Sequence, residues 1–295
     1  MTTGTTGAAE AVRAPARPAA GRAAGAGAKA GPRPRPGLRI IAPVLVFLLV
    51  MSVWTVVSEL VLAADSRFLL PAPYDVIRVG VLDGANRAEI LTALWSTTQI
   101  ALAGLALAIV VGVLLAVVMS QARWVEHALY PWAVVLQTIP ILAVVPMFGF
   151  WFGYEFESRV IVCVMVALFP TITNTLFGLK SVEPGLHDLF TLHGATRRQR
   201  LLRLQLPAAL PAMITGFKIS AGMAIIGSIV ADFFFRQGEP GIGRMIDVYR
   251  QRLATEELLT ALMWSSLVGL LLFWCFDLLG DHVDRRRSGR TRGPS

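Results

Sequence analysis

The stretch Asp188 to Pro211, DLFTLHGATRRQRLLRLQLPAALP, decides how the rest of the chain is read. It is the longest polar interruption between hydrophobic runs, and four of its residues are Arg. Leu186 to Leu192 predicts a short helix with Leu186, Leu189 and Phe190 on one face. Gly194 is free to adopt a left-handed conformation and end that helix. Thr196 and Gln199 stand at capping-box spacing and open a second helix. Pro207 and Pro211 remove hydrogen bonds from a helix interior, so they are expected to punctuate the return to the next apolar run. The stretch reads as a short helix lying across a surface. On spacing alone, an ordinary amphipathic surface loop fits as well.

Composition narrows the choice. Of 295 residues, 55% are hydrophobic and only 16% charged, and the hydrophobic residues gather into long runs. The net charge of +8 does not mark a nucleic-acid binder. The basic residues sit at the ends and in one loop, not on a continuous face. Cys163 and Cys275 lie inside apolar runs with no pairing signal and read as small buried hydrophobes. Residues 1–37 are rich in Ala, Gly, Pro, Thr and Arg and cannot bury enough surface to fold, which predicts a disordered tail. The late, long first apolar run argues against a signal peptide.

An apolar bilayer core about 30 Å thick needs roughly 20 helical residues. Six runs are long enough: Ile40 to Leu62, Thr98 to Met119, Leu129 to Phe152, Val160 to Phe177, Ala212 to Phe235 and Leu258 to Leu279. The predicted class is an all-α polytopic membrane protein with six transmembrane helices. With the N-terminus inside, the inner segments hold 18 Lys and Arg and the outer segments 8. That bias predicts both termini and the Asp188 to Pro211 loop in the cytoplasm. The chain divides into the tail 1–37, a membrane domain 38–284 containing the loop 178–211, and a basic tail 285–295.

The loop's spacing now carries a resemblance. Gly194 is followed after nine residues by Leu204, then after one residue by Leu206 and Pro207. This resembles the EAA loop of bacterial ABC-importer permeases, whose pattern is Glu-Ala-Ala, three residues, Gly, nine residues, an aliphatic, one residue, Leu-Pro. The triplet departs from the pattern: its positions are Asp188, Leu189 and Phe190, acidic first but bulky thereafter. The stretch Phe68 to Val79, FLLPAPYDVIRV, resembles the branch that handles nitrate, aliphatic sulfonates, taurine and pyrimidine-type vitamin precursors. Pro140, Pro146 and Trp151-Phe152-Gly153 are further marks of that branch. The resemblance covers about Leu69 to Leu279 and implies a type I importer fold. It also implies that Asp188, Leu189, Phe190, Gly194, Ala195, Leu206 and Pro207 form the coupling helix and its frame, which dock on an ATPase subunit.

The spans carry further patterns. Gly104, Ala108, Gly112 and Ala116 recur every fourth residue and form a small-residue packing seam, inside one subunit or across a dimer. Gly216, Ser220, Ala224, Ser228 and Asp232 repeat the step in the fifth span. A carboxylate at such a position is costly and usually functional; the alternative is an interfacial Asp232 touching water. In the family an acidic residue, usually Glu after Ala, occupies this point. Lys218 is expected to snorkel to the cytoplasmic surface without a role. Prolines in the third span free backbone carbonyls, which are tolerated where they line a water-filled path. Gln137, Thr138, Pro140, Asn174, Ser220, Ser228 and Asp232 are therefore candidates to line one. For each, interhelical hydrogen bonding is the alternative. Glu59 reads as interfacial, and the four His show no metal-ligand spacing. GEPGIGRMI, Gly238 to Ile246, predicts a loop entering a short amphipathic stretch, not a nucleotide motif.

The chain has no G-x-x-x-x-G-K-[ST], so it carries no P-loop of its own. The resemblance implies that ATP is bound by a separate ABC ATPase and that this chain needs no cofactor. It implies a second permease copy, making a homodimer, an extracytoplasmic solute-binding protein and surrounding membrane lipid as partners. Two rivals come from other classes. A secondary transporter without an ATPase calls for an intramembrane titratable relay or matching broken helices. A membrane enzyme calls for a cluster of catalytic acids, His or metal ligands. Neither signal is found.

Overall fold

The computed structural model describes residues 36–235 and 237–291. The tail expected over 1–37 lies outside them except for Pro36 and Gly37, and so do the last four residues of the basic tail. Among the described residues the chain is all helix: α1 (Pro36–Val56), α2 (Pro73–Ile77), α3 (Gly84–Gln121), α4 (Arg123–Thr138), α5 (Ile141–Phe152), α6 (Phe156–Lys180), α7 (Pro184–Leu192), α8 (Arg197–Arg200), α9 (Leu206–Phe234), α10 (Ile242–Arg252) and α11 (Thr255–Thr291). Wide π turns at Val57–Val61, Arg78–Leu82 and Leu201–Gln205 extend α1, α2 and α8.

α6 packs along α9 on one side and along α3 on another, and α9 also meets α11. The small-residue seam explains how they come so close. Gly104, Ala108, Gly112 and Ala116 are all buried. A Cβ on Gly104 would stand 2.3 Å from the Cys163 Cβ, and one on Gly112 would stand 2.6 Å from the Thr171 Cγ2. The seam therefore points at α6, inside the subunit. The second seam does the same from α9: a Cβ on Gly216 would meet the Asn174 Cβ at 2.7 Å. Large apolar residues point the other way. Leu102, Leu107, Val110, Leu114 and Val118 of α3 are exposed, as suits a helix whose outer face meets lipid.

Among the described residues, five helices are long and apolar enough to cross a membrane: Ile41–Val61, Gly84–Gln121, Phe156–Lys180, Arg197–Phe234 and Thr255–Val283. The run Leu129 to Phe152, read as one straight span, is instead two helices, α4 and α5, bent by 99°. Pro140 is the cause. It has no N–H to continue α4, and it pushes Ile139 before it into an extended conformation (φ −62°, ψ 126°). Counting the bent pair as one broken span gives six.

Three other expectations change. Cys275, read as a buried hydrophobe, is exposed on α11, while Cys163 is buried. Pro207 and Pro211 do not interrupt the return: Arg197–Phe234 runs on as one helix. The π turn before Pro207 accommodates it, with the Leu206 N–H reaching back to the Leu201 carbonyl. Lys218 does not snorkel to the surface unpaired. It forms an ion pair with Asp277 of α11 and lies 5.4 Å from the Phe273 ring centroid.

We expect Gly104→Val to destabilise the chain by about 1–3 kcal/mol, because it overfills a closed contact. Leu107→Val, on the exposed face of the same helix, is the control and should shift little. Thermal unfolding in detergent reads both.

Candidate functional sites at the two ends of the bundle

α6 and α9 are antiparallel, so the α7–α8 loop lies at one end of the bundle and α10 at the other. The loop end holds the first candidate site. α7 starts on Pro184 at its first turn, where a missing N–H costs nothing. It ends on Gly194 at φ +64°. The Ala195 N–H reaches the Phe190 carbonyl at 2.9 Å and the Gly194 N–H reaches the Thr191 carbonyl at 3.0 Å, the two bonds of a Schellman motif. The expected capping box is present: the Gln199 N–H donates to the Thr196 Oγ1 at 3.2 Å, and the Thr196 N–H donates to the Gln199 Oε1 at 2.9 Å. Arg200 ties the two helices together by donating to the Thr191 Oγ1 at 2.8 Å.

The loop is thus internally fixed while its apolar face stays open. Leu186 and Leu189 are 43% and 47% exposed. Phe190 is half-buried and shares a cleft with Leu189, His193, Ala195, Gln199 and Arg203. Asp188 is exposed and forms no ion pair among the described residues. Leu206 turns inward, packing on the core of Leu176, Leu179, Ala209 and Met213, while Pro207 is exposed. Lys180, at the end of α6, pairs with Glu126 of α4 and fixes the base of the loop.

The opposite end holds a buried polar knot. Asp232 is fully buried. Its Oδ1 accepts from the Arg159 Nη1 at 2.9 Å, and its Oδ2 accepts from the Thr97 Oγ1 at 2.5 Å. The Ile242 N–H, at the first turn of α10, donates to the same Thr97 oxygen at 2.8 Å. Arg159 also donates to the backbone carbonyls of Gln237 at 2.7 Å and Glu239 at 3.0 Å. One carboxylate and one guanidinium therefore join α3, α6, α9 and the loop into α10. Gly241 and Gly243 are needed for this approach. A Cβ on Gly241 would lie 1.9 Å from the Asp232 Oδ2, and one on Gly243 would lie 2.1 Å from the Ile229 carbonyl oxygen.

Asp232 was legible in the sequence, but its partners were not. Arg159, immediately before the apolar run Val160 to Phe177, reads in sequence as a flanking charge. Gly241-Ile242-Gly243 was the available signal, since two glycines beside a buried carboxylate mark close backbone approach. Tyr249 of α10 also went unnoticed. It is buried, and burial together with the Glu89 and Glu257 carboxylates pushes its hydroxyl up to about 12, so it stays protonated.

The remaining candidates separate into two groups. Gln137, Thr138 and Pro140 sit together and exposed at the α4–α5 break. Gln137 lines a cleft there with Leu136, Ile139, Met165, Pro170 and Met223. Asn174, half-buried, spends its amide on the Pro170 carbonyl at 2.9 Å. Ser220 and Ser228 are fully buried. Ser220 donates to the Ala167 carbonyl and shares a hydrogen bond with Thr171, both at 2.8 Å, while Ser228 donates to the Ile225 carbonyl at 2.9 Å.

Residues 108–289 match the family described as the binding-protein-dependent transport system inner membrane component. The chain is 34% identical over 237 residues, covering 79% of it and 90% of the relative, to the formylaminopyrimidine transport permease protein ThiX of Halalkalibacterium halodurans. It is 27% identical to a putative aliphatic sulfonates transport permease protein, SsuC, of Bacillus subtilis, over 75% of this chain and 79% of that one. Its fold is similar to the transmembrane subunit in inward-facing structures of the methionine ABC transporter MetNI, with TM-score 0.59 at 17% identity, covering 66% of this chain and 95% of that one. Relatives in this family are named as transport permeases rather than enzymes, which sets aside the enzyme, and the family is that of binding-protein-dependent ABC systems, which sets aside the secondary transporter. The chain belongs to the binding-protein-dependent inner membrane component family, as a permease subunit of an ABC importer.

Proposed function

We propose that this subunit forms half of a solute path, as one of two identical copies, and that α7 is the element pressed by a separate ATPase chain that binds the ATP. The observation that carries this reading is the fixed but uncovered α7: Leu186 and Leu189 remain open although the Schellman motif and capping box hold the loop rigid. An amphipathic helix with an open apolar face suits a groove on a partner. Both termini and α7 are cytoplasmic in this reading, supported by the Lys and Arg bias. The alternating-access cycle follows. ATP draws two ATPase subunits together, α7 moves with them, and α9 moves with α7. A loaded binding protein on the far side then releases solute into the opened path.

In this reading the path runs past Gln137, Thr138 and Pro140, where the bent pair leaves backbone carbonyls without helical partners. Asn174 borders it. Ser220, Ser228 and Asp232 hold the wall from behind, where their hydrogen bonds are made. The cleft at the break is apolar with one amide. That lining suits an uncharged organic solute better than nitrate or a sulfonate, and the relative at 34% identity is named for a formylaminopyrimidine.

Four outcomes test the reading. Reporter fusions near Leu201 and at the C-terminus should both report cytoplasm; an external signal at Leu201 sinks the coupling assignment. Phe190→Ala should weaken ATPase co-purification by about 1–3 kcal/mol, the usual cost of truncating a buried interface anchor, at unchanged detergent stability. Lost stability with binding intact would place Phe190 in the subunit's own core. Asp232→Ala should cost about 3–5 kcal/mol of stability, since it leaves the Arg159 guanidinium buried without its counter-charge. Arg159→Met combined with Asp232→Leu should recover much of that loss. Proteoliposomes holding the assembled importer should accumulate formylaminopyrimidine and not taurine; the reverse preference overturns the solute assignment.

A further inference from the structure

The segment 73–82, formed by α2 and its π turn, lies against the first turns of α11. The two elements touch at backbone distance. The Thr260 Oγ1 donates to the Val76 carbonyl at 3.2 Å, and a Cβ on Gly80 would stand 1.8 Å from the Thr260 Oγ1. Beside this contact an apolar groove opens, walled by Val76, Ile77, Val81, Met263, Trp264 and Leu267. Ile77, Met263 and Leu267 are 47%, 51% and 41% exposed, so the groove is open along its length.

Toward the start of α11 the lining changes character. Asp75, Arg78, Asp83 and Glu256 surround an adjoining cleft. The Asp83 carboxylate is already engaged, accepting from the Ala85 N–H at 2.9 Å to cap α3. Arg78, Asp75 and Glu256 form no ion pair among the described residues. From Glu256 to Leu267 the helix rises about 16 Å. That is about half the ~30 Å apolar thickness of a bilayer, the depth of one leaflet.

We propose that this charged rim and apolar groove form a binding site for one zwitterionic phospholipid with a primary ammonium headgroup. Arg78 takes the phosphate, with its fork of donors. Asp75 and Glu256 take the ammonium, whose three N–H donors match two carboxylates. The acyl chain runs down α11 between Ile77 and Met263 toward Leu267. Two free carboxylates against one guanidinium disfavour a purely anionic headgroup. A quaternary ammonium has no N–H to offer them. The inference rests on the membrane reading alone, so its failure would leave the transport reading untouched.

The test uses the full-length chain, purified in detergent, stripped of lipid and read by native mass spectrometry. Phosphatidylethanolamine, phosphatidylcholine and phosphatidylglycerol of matched chains are offered at equal concentration. We expect the ethanolamine lipid to be retained about ten-fold better than either competitor, as charge-assisted hydrogen bonds to both headgroup charges require. Arg78→Gln and Glu256→Gln should each abolish the preference. Met263→Trp, which fills the groove, should abolish retention of all three. Equal retention of the three lipids, or stronger retention of phosphatidylglycerol, overturns the proposal. So does a preference that survives both rim substitutions. The headgroup comparison is made on the unsubstituted chain, so its outcome stands even where a variant fails to fold.

Discussion

Lipid tails solvate apolar side chains as well as a protein interior does, so helices in a bilayer gain little by hiding leucines from one another. What holds them is close packing and the pairing of polar groups. The close approach of α3, α6 and α9 rests on that constraint. Gly104 and Gly112 let α3 lie against Cys163 and Thr171 of α6, and Gly216 lets α9 lie against Asn174 from another side. With the helices this close, short side chains reach across. The Thr171–Ser220 hydrogen bond at 2.8 Å joins α6 to α9 at mid-depth. The seams and the polar bonds are therefore one device: small residues bring the backbones together, and hydroxyls use the proximity.

The Arg159–Asp232 pair is the extreme case. Both side chains are almost wholly buried, with 4% and 0% exposure. Removing two charges from water is expensive, and their mutual attraction offsets the cost only when the remaining donors and acceptors are also satisfied. Here they nearly are. Thr97 takes the second carboxylate oxygen, and loop carbonyls take the other guanidinium donors. Of the pair's own donors and acceptors, the Arg159 Nε alone lacks a partner among the described residues. A pair this demanding in geometry fixes where α10 begins, because Ile242 is bonded to the same Thr97 oxygen.

The sequence showed the helical class, the seams and the grammar of the loop, because each is a local pattern. Gly194, Thr196 and Gln199 announce their roles within six residues, and the structure gives each the bonds that spacing implied. What escaped was long-range. Thr97 is separated from Asp232 by 135 residues and Arg159 by 73, and no periodicity links them. The break at Pro140 escaped for another reason. Pro131, Pro140 and Pro146 are alike in sequence, yet Pro131 and Pro146 sit inside helices and only Pro140 divides two. Apolar content, which makes 129–152 look continuous, is blind to a bend. Lys218 was misplaced because a lone cation near a helix end reads as snorkelling when its partner, Asp277, lies on another helix.

Mechanical continuity connects the two ends. Arg197–Phe234 is one unbroken helix, about 55 Å long at the usual rise. It begins at the capping box beside α7 and ends two residues beyond Asp232. In the proposed coupling, a displacement of α7 would reach Arg197 through the short turn at Gly194 and the Arg200–Thr191 bond, and then pass along one continuous helix. The π turn at Leu201–Gln205 keeps Pro207 from breaking that rod. Because α9 is bonded to α6 and α3 at its far end, it cannot slide there alone. The knot ties the helices it joins to one another at that end, whereas the break at Pro140 lies outside it and borders the cleft with Gln137.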